Sequence, residues 1–237
     1  MDRTSIPRRI FLAQAGVAAG GVALLDASVL AAEGGSADEG LLIVGVACSP
    51  RKGMTTAAGV RIALDAAGEA DPRIRTELID LGGMNISAWS GGATPSQAAA
   101  IEDDFALAVE PVMRDSNLAG LIIGSPVYFR ALSALCKAFL ERLAVLRKPS
   151  FLLADVPVGA LAVGAYRNGG QELVIEQILT AMLCHEVMVV GGKPRAHQGA
   201  TLWNHTNDDI RQDEFGVETA RNLGVRVAEA ALRIRRR

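Results

Sequence analysis

LAGLIIGSPVYFRALSALCKAFLERL, residues 118–143, decides the fold. Leu118 to Ile123 is a continuous apolar run closed by the small pair Gly124-Ser125, the pattern of a strand buried on both faces. Pro126 fixes its own φ and biases Ser125 toward extended geometry, so the chain leaves the strand in one direction. Val127, Tyr128 and Phe129 then put main-chain amides and an aromatic wall at the strand end, in a chain with only two tyrosines and six phenylalanines. Beyond them Leu132, Leu135, Cys136, Phe139, Leu143 and Leu146 share one helical face, with Ser133, Lys137, Glu141 and Arg142 opposite. The spacing predicts a helix over 131–146.

Outward from this unit the same alternation continues. Strands are expected at 41–47, 73–81, 158–164 and 187–190, and helices at 54–69, 96–115, 170–183 and 213–235. Ser96 is the expected N-cap of its helix, and Pro111 is expected to kink or end it. Residues 82–95 and 191–206 read as irregular. Alternating β and α segments with fully apolar strands predict an α/β fold of three layers. Its centre is a doubly wound, five-stranded parallel sheet in the order 2-1-3-4-5, with right-handed crossovers. In such sheets ligands sit at the carboxyl ends of the strands, near the point where strand order reverses. The loops after strands 1, 3 and 4 are therefore the ones that carry function.

The loop after strand 1, Cys48-Ser49-Pro50-Arg51-Lys52-Gly53-Met54-Thr55-Thr56, leads from a buried strand into a helix N-terminus. Free amides, the positive end of the helix dipole and the hydroxyls of Ser49, Thr55 and Thr56 together suit a phosphate, with Arg51 beside them. It is neither GxxxxGK[ST] nor GxGxxG, which argues against a Mg-nucleotide or a tightly held dinucleotide. The bland alternative is a turn with Thr55 capping the helix. The loop after strand 4 contains Tyr166, Arg167, Asn168, Gly169 and Gly170, where two glycines allow close approach of backbone to a ligand. A phosphate cradle, an aromatic turn and a glycine-rich wall in one crevice point to FMN.

Other features read as structural. His185, His197 and His205 lack metal-ligand spacing, and Gly124-Ser125-Pro126 is not the GxSxG of a nucleophile elbow. Asp103-Asp104 reads as a solvated patch, and Asp208-Asp209 and Asp213-Glu214 as acids that precede or open the last helix. Cys48, Cys136 and Cys184 form no CxxC, and each reads as a small buried hydrophobe. Net charge is −2, so nothing points to nucleic acid or an anionic membrane surface. Residues 1–32 join Arg8-Arg9 and Phe11-Leu12 to a Gly-interrupted apolar run and the small residues around Ala31. They read as a twin-arginine export signal. An ordinary secretory signal or an uncleaved membrane anchor are the alternatives. Residues 33–40 are a linker, and 41–237 form the folded domain. The expected location is the periplasm or beyond, reached through the twin-arginine machinery, whose cargoes often carry a cofactor.

The chain resembles the NAD(P)H-dependent FMN reductase group of flavodoxin-like proteins, and most of all its iron–sulfur flavoprotein branch. The resemblance runs from about Leu41 to Glu229, nearly the whole chain after the export signal and linker. It rests on Ser49-Pro50-Arg51-Lys52 with Thr55-Thr56, on Gly124-Ser125-Pro126-Val127-Tyr128-Phe129 followed by Lys137-Ala138-Phe139-Leu140-Glu141-Arg142, and on Gly169-Gly170-Gln171-Glu172. The late stretch from Gly216 to Gly224 also fits. The resemblance implies that Ser49, Arg51, Thr55 and Thr56 hold the FMN phosphate. It likewise implies that Pro126, Val127, Tyr128, Phe129, Tyr166, Gly169 and Gly170 surround the isoalloxazine. Self-association is a further implication, without a fixed number of subunits.

Two departures matter. The segment from Gly82 to Gly92 holds no cysteine where that branch carries its cluster motif, so no [4Fe–4S] site can form from it, and Trp89 stands there as a lid or a loop anchor. Thr55 stands where the family often has Asn. The expected activity is an oxidoreductase passing hydride from NAD(P)H, or another small-molecule donor, to FMN and on to a quinone, a flavin or a small oxidant. A flavodoxin-type electron carrier and a cofactor-free binding module on the same fold are the other readings.

Overall fold

The computed structural model describes residues 40–89 and 103–235. The export signal, residues 33–39 of the linker and the Ser96 N-cap lie outside the described residues. Seven residues with no polar side chain form β1 (Leu41–Ala47), which runs into α1 (Thr55–Ala70) and then β2 (Ile74–Asp80). A π-helical stretch, Phe105–Val109, precedes the short α2 (Glu110–Met113) and β3 (Leu118–Pro126). There follow α3 (Ala134–Arg142), β4 (Pro157–Gly164), α4 (Gln171–Met182), β5 (Met188–Val189), β6 (Ala200–Trp203) and α5 (Glu214–Arg235).

The sheet is parallel, in the order β2-β1-β3-β4-β5, as the alternation of elements requires. Its fifth position is split. β5 pairs with the start of β4 (Pro157↔Met188), and β6 pairs with its end (Leu161↔Ala200 to Gly164↔Trp203). β6 falls in the stretch read as irregular. Four residues between a Gly-rich loop and a polar one are too few to show a period, and only the open edge of β4 makes them a strand.

Every residue of β3 and β4 is buried, because helices cover both faces. Leu42, Val44, Leu121, Ile123 and Val158 face a core built with Phe105, Phe139, Val174 and Ile178. Ile43, Ile122, Leu161 and Leu202 face the other, built with Val60, Leu64, Leu223 and Val227 from α1 and α5. Neighbouring residues of a strand thus feed opposite cores, as the period of two dictates.

Pro111 follows the π-helical stretch with one residue between, and the helix ends two residues beyond it at Met113. Several sequence expectations are corrected. Asp103 is not solvated. It is buried and ion-paired with Arg142, whose guanidinium lies 4.9 Å from the centroid of Phe105, and it accepts the amides of Ser87 and Phe105. Asp104 accepts the amide of Asn85. Together the two acids pin the segment after β2 that carries Trp89. Cys48 and Cys136 are buried as expected, but Cys184 is exposed at the end of α4.

The helix after β3 begins at Ala134 rather than Ala131, because Ser133 is its N-cap and accepts the Cys136 amide at 3.0 Å. The same hydroxyl donates to the carbonyl of Cys48 at 2.6 Å, and the Ser133 amide donates to Ser125 Oγ at 3.0 Å. Ser133→Ala removes a cap and strands a buried carbonyl. It is expected to lower stability by about 2 kcal/mol, read as a lower urea midpoint at unchanged slope.

Candidate functional site

Loop one starts from Cys48, whose amide donates to Gly124 O at 2.8 Å, so the ends of β1 and β3 are level. Ser49 is 3% exposed, and its Oγ accepts the Arg51 amide at 3.2 Å. The residue ahead of α1 is Met54, which has no side-chain oxygen to cap the helix. The first amides of α1 therefore keep their donors, and the dipole end is uncompensated. Thr55 and Thr56 are buried in the first turn, and neither hydroxyl has a hydrogen-bond partner among the described residues. Thr55 is thus not the cap, and the arrangement has the chemistry of an anion cradle.

A residue outside the expected set shapes this cradle. Asp80, at the carboxyl end of β2, accepts the amide of Gly53 at 2.6 Å through one oxygen and that of Gly82 at 3.0 Å through the other. Gly53 sits at φ 71°, which favours glycine, and a Cβ on Gly82 would lie 2.3 Å from Lys52 Cα, so that position requires it. The strand-end rule applied to β2 as well as to its neighbours finds Asp80.

Pro126 ends β3, and the Val127 amide donates to Val163 O at 2.9 Å. Tyr128 and Ala131 then exchange both backbone hydrogen bonds at 2.9 Å around a two-residue turn. Its central residues, Phe129 and Arg130, lie at φ 50° and 63°, the pattern of a type I′ turn without the usual Asn or Gly. Phe129 at the tip is fully exposed, and Tyr128 is partly so. A strained turn that presents an aromatic ring to solvent is a common mark of a binding element.

The loop after β4 is held by Gln171, which is almost fully buried. Its Nε2 donates to Tyr166 O at 2.6 Å and Leu202 O at 3.2 Å, and its Oε1 accepts the Gly169 amide at 2.9 Å. Gly170, at φ 109°, precedes α4, and a Cβ there would meet Arg130 at 3.2 Å. Tyr166 is 70% exposed. Arg167 does not point at the cradle: it pairs with buried Asp213 and lies over the rings of Trp203 and Phe215. Asp213 also accepts the amides of Gly216 and Trp203 and so caps α5. A cleft of about 600 Å3 opens beside this loop, between Arg130, Glu172 and Phe215. It shares Gly170 with the candidate set and nothing with the loop after β1.

The three loops converge, and a fourth closes on them. Asn204 donates its amide to Gly164 O at 3.0 Å, and Trp203 Nε1 donates to Ala165 O at 2.7 Å. Asp208, from the same loop, takes both terminal nitrogens of Arg51 at 2.8 Å. That pairing holds Asp208 below the usual carboxylate range and the Arg51 guanidinium above its own, with Tyr128 adding to the effect on Arg51. Trp89 is half exposed, its amide on Glu141 of α3.

Comparison with known proteins points to one family. Residues 41–201 match the model of the NADPH-dependent FMN reductase family. The chain is 39% identical over 203 residues to an iron–sulfur flavoprotein of Methanocaldococcus jannaschii, covering 82% of this chain and 99% of the relative. It is 32% identical over 182 residues to the iron–sulfur flavoprotein of Methanosarcina thermophila, covering 76% and 92%. Among solved structures, RosB with bound 8-demethyl-8-formylriboflavin-5'-phosphate superposes with a TM-score of 0.65 at 15% identity, over 83% of this chain and 81% of that one.

The aromatic turn can be tested on its own. Replacing Phe129-Arg130 by Asn-Gly relieves two left-handed positions and is expected to raise stability by about 1–2 kcal/mol. Thermal or urea unfolding of the variant measures this.

Proposed function

The chain belongs to the NADPH-dependent FMN reductase family, and we propose that it is an FMN-dependent oxidoreductase that takes hydride from NAD(P)H or another donor and passes electrons to a quinone, a flavin or a small oxidant. One observation carries the cofactor reading: an uncapped α1 N-terminus with the idle hydroxyls of Thr55 and Thr56 beside it, at the carboxyl end of β1. In this reading Ser49, Thr55, Thr56 and the first amides of α1 bind the phosphate, with Arg51 supplying positive charge. Pro126, Val127, Tyr128, Phe129, Tyr166, Gly169 and Gly170 bound the ring. FMN supplies the hydride and electron chemistry. The chain's own residues orient it: the strained turn fixes the height of Tyr128, and Gln171 holds the Gly169-Gly170 backbone where a flat ring can approach.

The three cysteines support electron transfer without an iron–sulfur cluster. Two are buried and the third is exposed at the far end of α4, while a cluster of the usual kind needs four thiolates. The Arg8-Arg9 pair ahead of an apolar run supports export of the folded protein, and self-association is part of the proposal.

The visible spectrum of the purified protein with FMN added is the test. Flavin absorbance that stays with the protein through gel filtration is the expected result. Its loss on the column sinks the reading. Arg51→Ala with Thr55→Ala is expected to weaken FMN about 10- to 100-fold by removing a charged and a neutral donor. Unchanged affinity removes the phosphate assignment. Stopped-flow reduction by NADH and NADPH then separates an enzyme from a carrier.

A further inference from the structure

We infer that Asp208 is a specificity-determining residue of the cofactor site: its carboxylate competes with the flavin phosphate for Arg51, and so sets the preference for FMN over unphosphorylated riboflavin. The inference rests on the FMN reading above. Arg51 Nη1 and Nη2 both go to Asp208, on Oδ2 and Oδ1, at 2.8 Å. This is the forked geometry by which a guanidinium also takes a phosphate, so one occupant of that edge displaces the other.

The pair is placed to exchange. Its side chains are 47% and 40% exposed at the mouth of the crevice, where water screens the attraction and pairs are weak. The other acid at the cradle, Asp80, is tied to the Gly53 and Gly82 amides, so its charge is already engaged. Asp208 sits on a loop whose backbone is closely constrained. His205, Thr206 and Asp208 lie at φ 53°, 60° and 60°, and Asn204 anchors the loop to Gly164 while its side chain reaches Asp208 Oδ1 at 3.5 Å. Three non-glycine residues in the left-handed region within four positions give the loop a sharp, defined course, with β-branched Thr206 the strained one. Riboflavin, which has no phosphate, makes no demand on that edge of Arg51 and is left indifferent.

Asp208→Asn isolates the charge, because Asn tolerates a left-handed φ better than most residues. Dissociation constants for FMN and riboflavin, from flavin fluorescence titrations, are compared in the wild type, D208N, R51A and the double variant, with circular dichroism confirming the fold. D208N is expected to bind FMN about three- to tenfold tighter with riboflavin unchanged. The gain is expected to vanish when Arg51 is also Ala. Weaker FMN binding in D208N would mean that Asp208 positions Arg51 for the phosphate, and it overturns the inference. An unchanged FMN-to-riboflavin ratio does the same. A wild type that binds neither flavin removes the cofactor reading itself, a result distinct from flavin that binds with an unmoved ratio.

Discussion

Ser133 Oγ, buried where α3 begins, joins the elements on which the crevice depends. It donates to the Cys48 carbonyl and accepts the Cys136 amide, while the Ser133 amide donates to Ser125. A buried carbonyl at a strand end needs a donor, and no further strand residue is available to give one. One hydroxyl therefore satisfies β1, caps α3 and sets the height of the turn between β3 and α3. Were it displaced, the loop after β1 and the aromatic turn would lose their common reference.

Acidic residues do the equivalent work around the rim. Asp80 shapes the first loop, Asp213 joins Arg167 to the cap of α5, and Asp103 with Arg142 fixes the segment that leads to Trp89. Each accepts backbone amides as well as, or instead of, a cation, so each is spent on holding backbone rather than on chemistry. Asp208 differs: its carboxylate meets the Arg51 side chain and the Asn204 amide group in the open. The rim is thus held at three acids by backbone amides and open at one, and the open one lies on the guanidinium of the loop after β1.

How far the sequence could be read follows from the range of the forces involved. β1 and β3 were plain because fully buried strands of a parallel sheet are apolar throughout. The loops carrying Ser49, Thr55, Tyr128 and Gly170 were also legible, since strand order alone sends the ends of β1, β3 and β4 to one edge. β6 was not, because its four residues become a strand only against β4. Asp103 looked solvated because its partner, Arg142, lies on a helix beyond β3. Cys184 looked buried because a cysteine carries no sign of which helix face it occupies. The π-helical stretch ahead of Pro111 was not legible, because a π turn leaves no local signal in composition.

The sequence by itself determined the layers, the strand order, the two cores and the edge to which the loops after β1, β3 and β4 run. Those follow from hydrophobic periodicity and from helix and turn chemistry, which act within a few residues. Only the tertiary structure decided which charges meet: Arg51 with Asp208, Arg142 with Asp103, and Arg167 with Asp213. These pairs bring together side chains far apart in the chain, and their partners are chosen by the packing of α3, β6 and α5 rather than by any local pattern. The fold is written in short-range preferences, and the electrostatics of the site are written in long-range contacts.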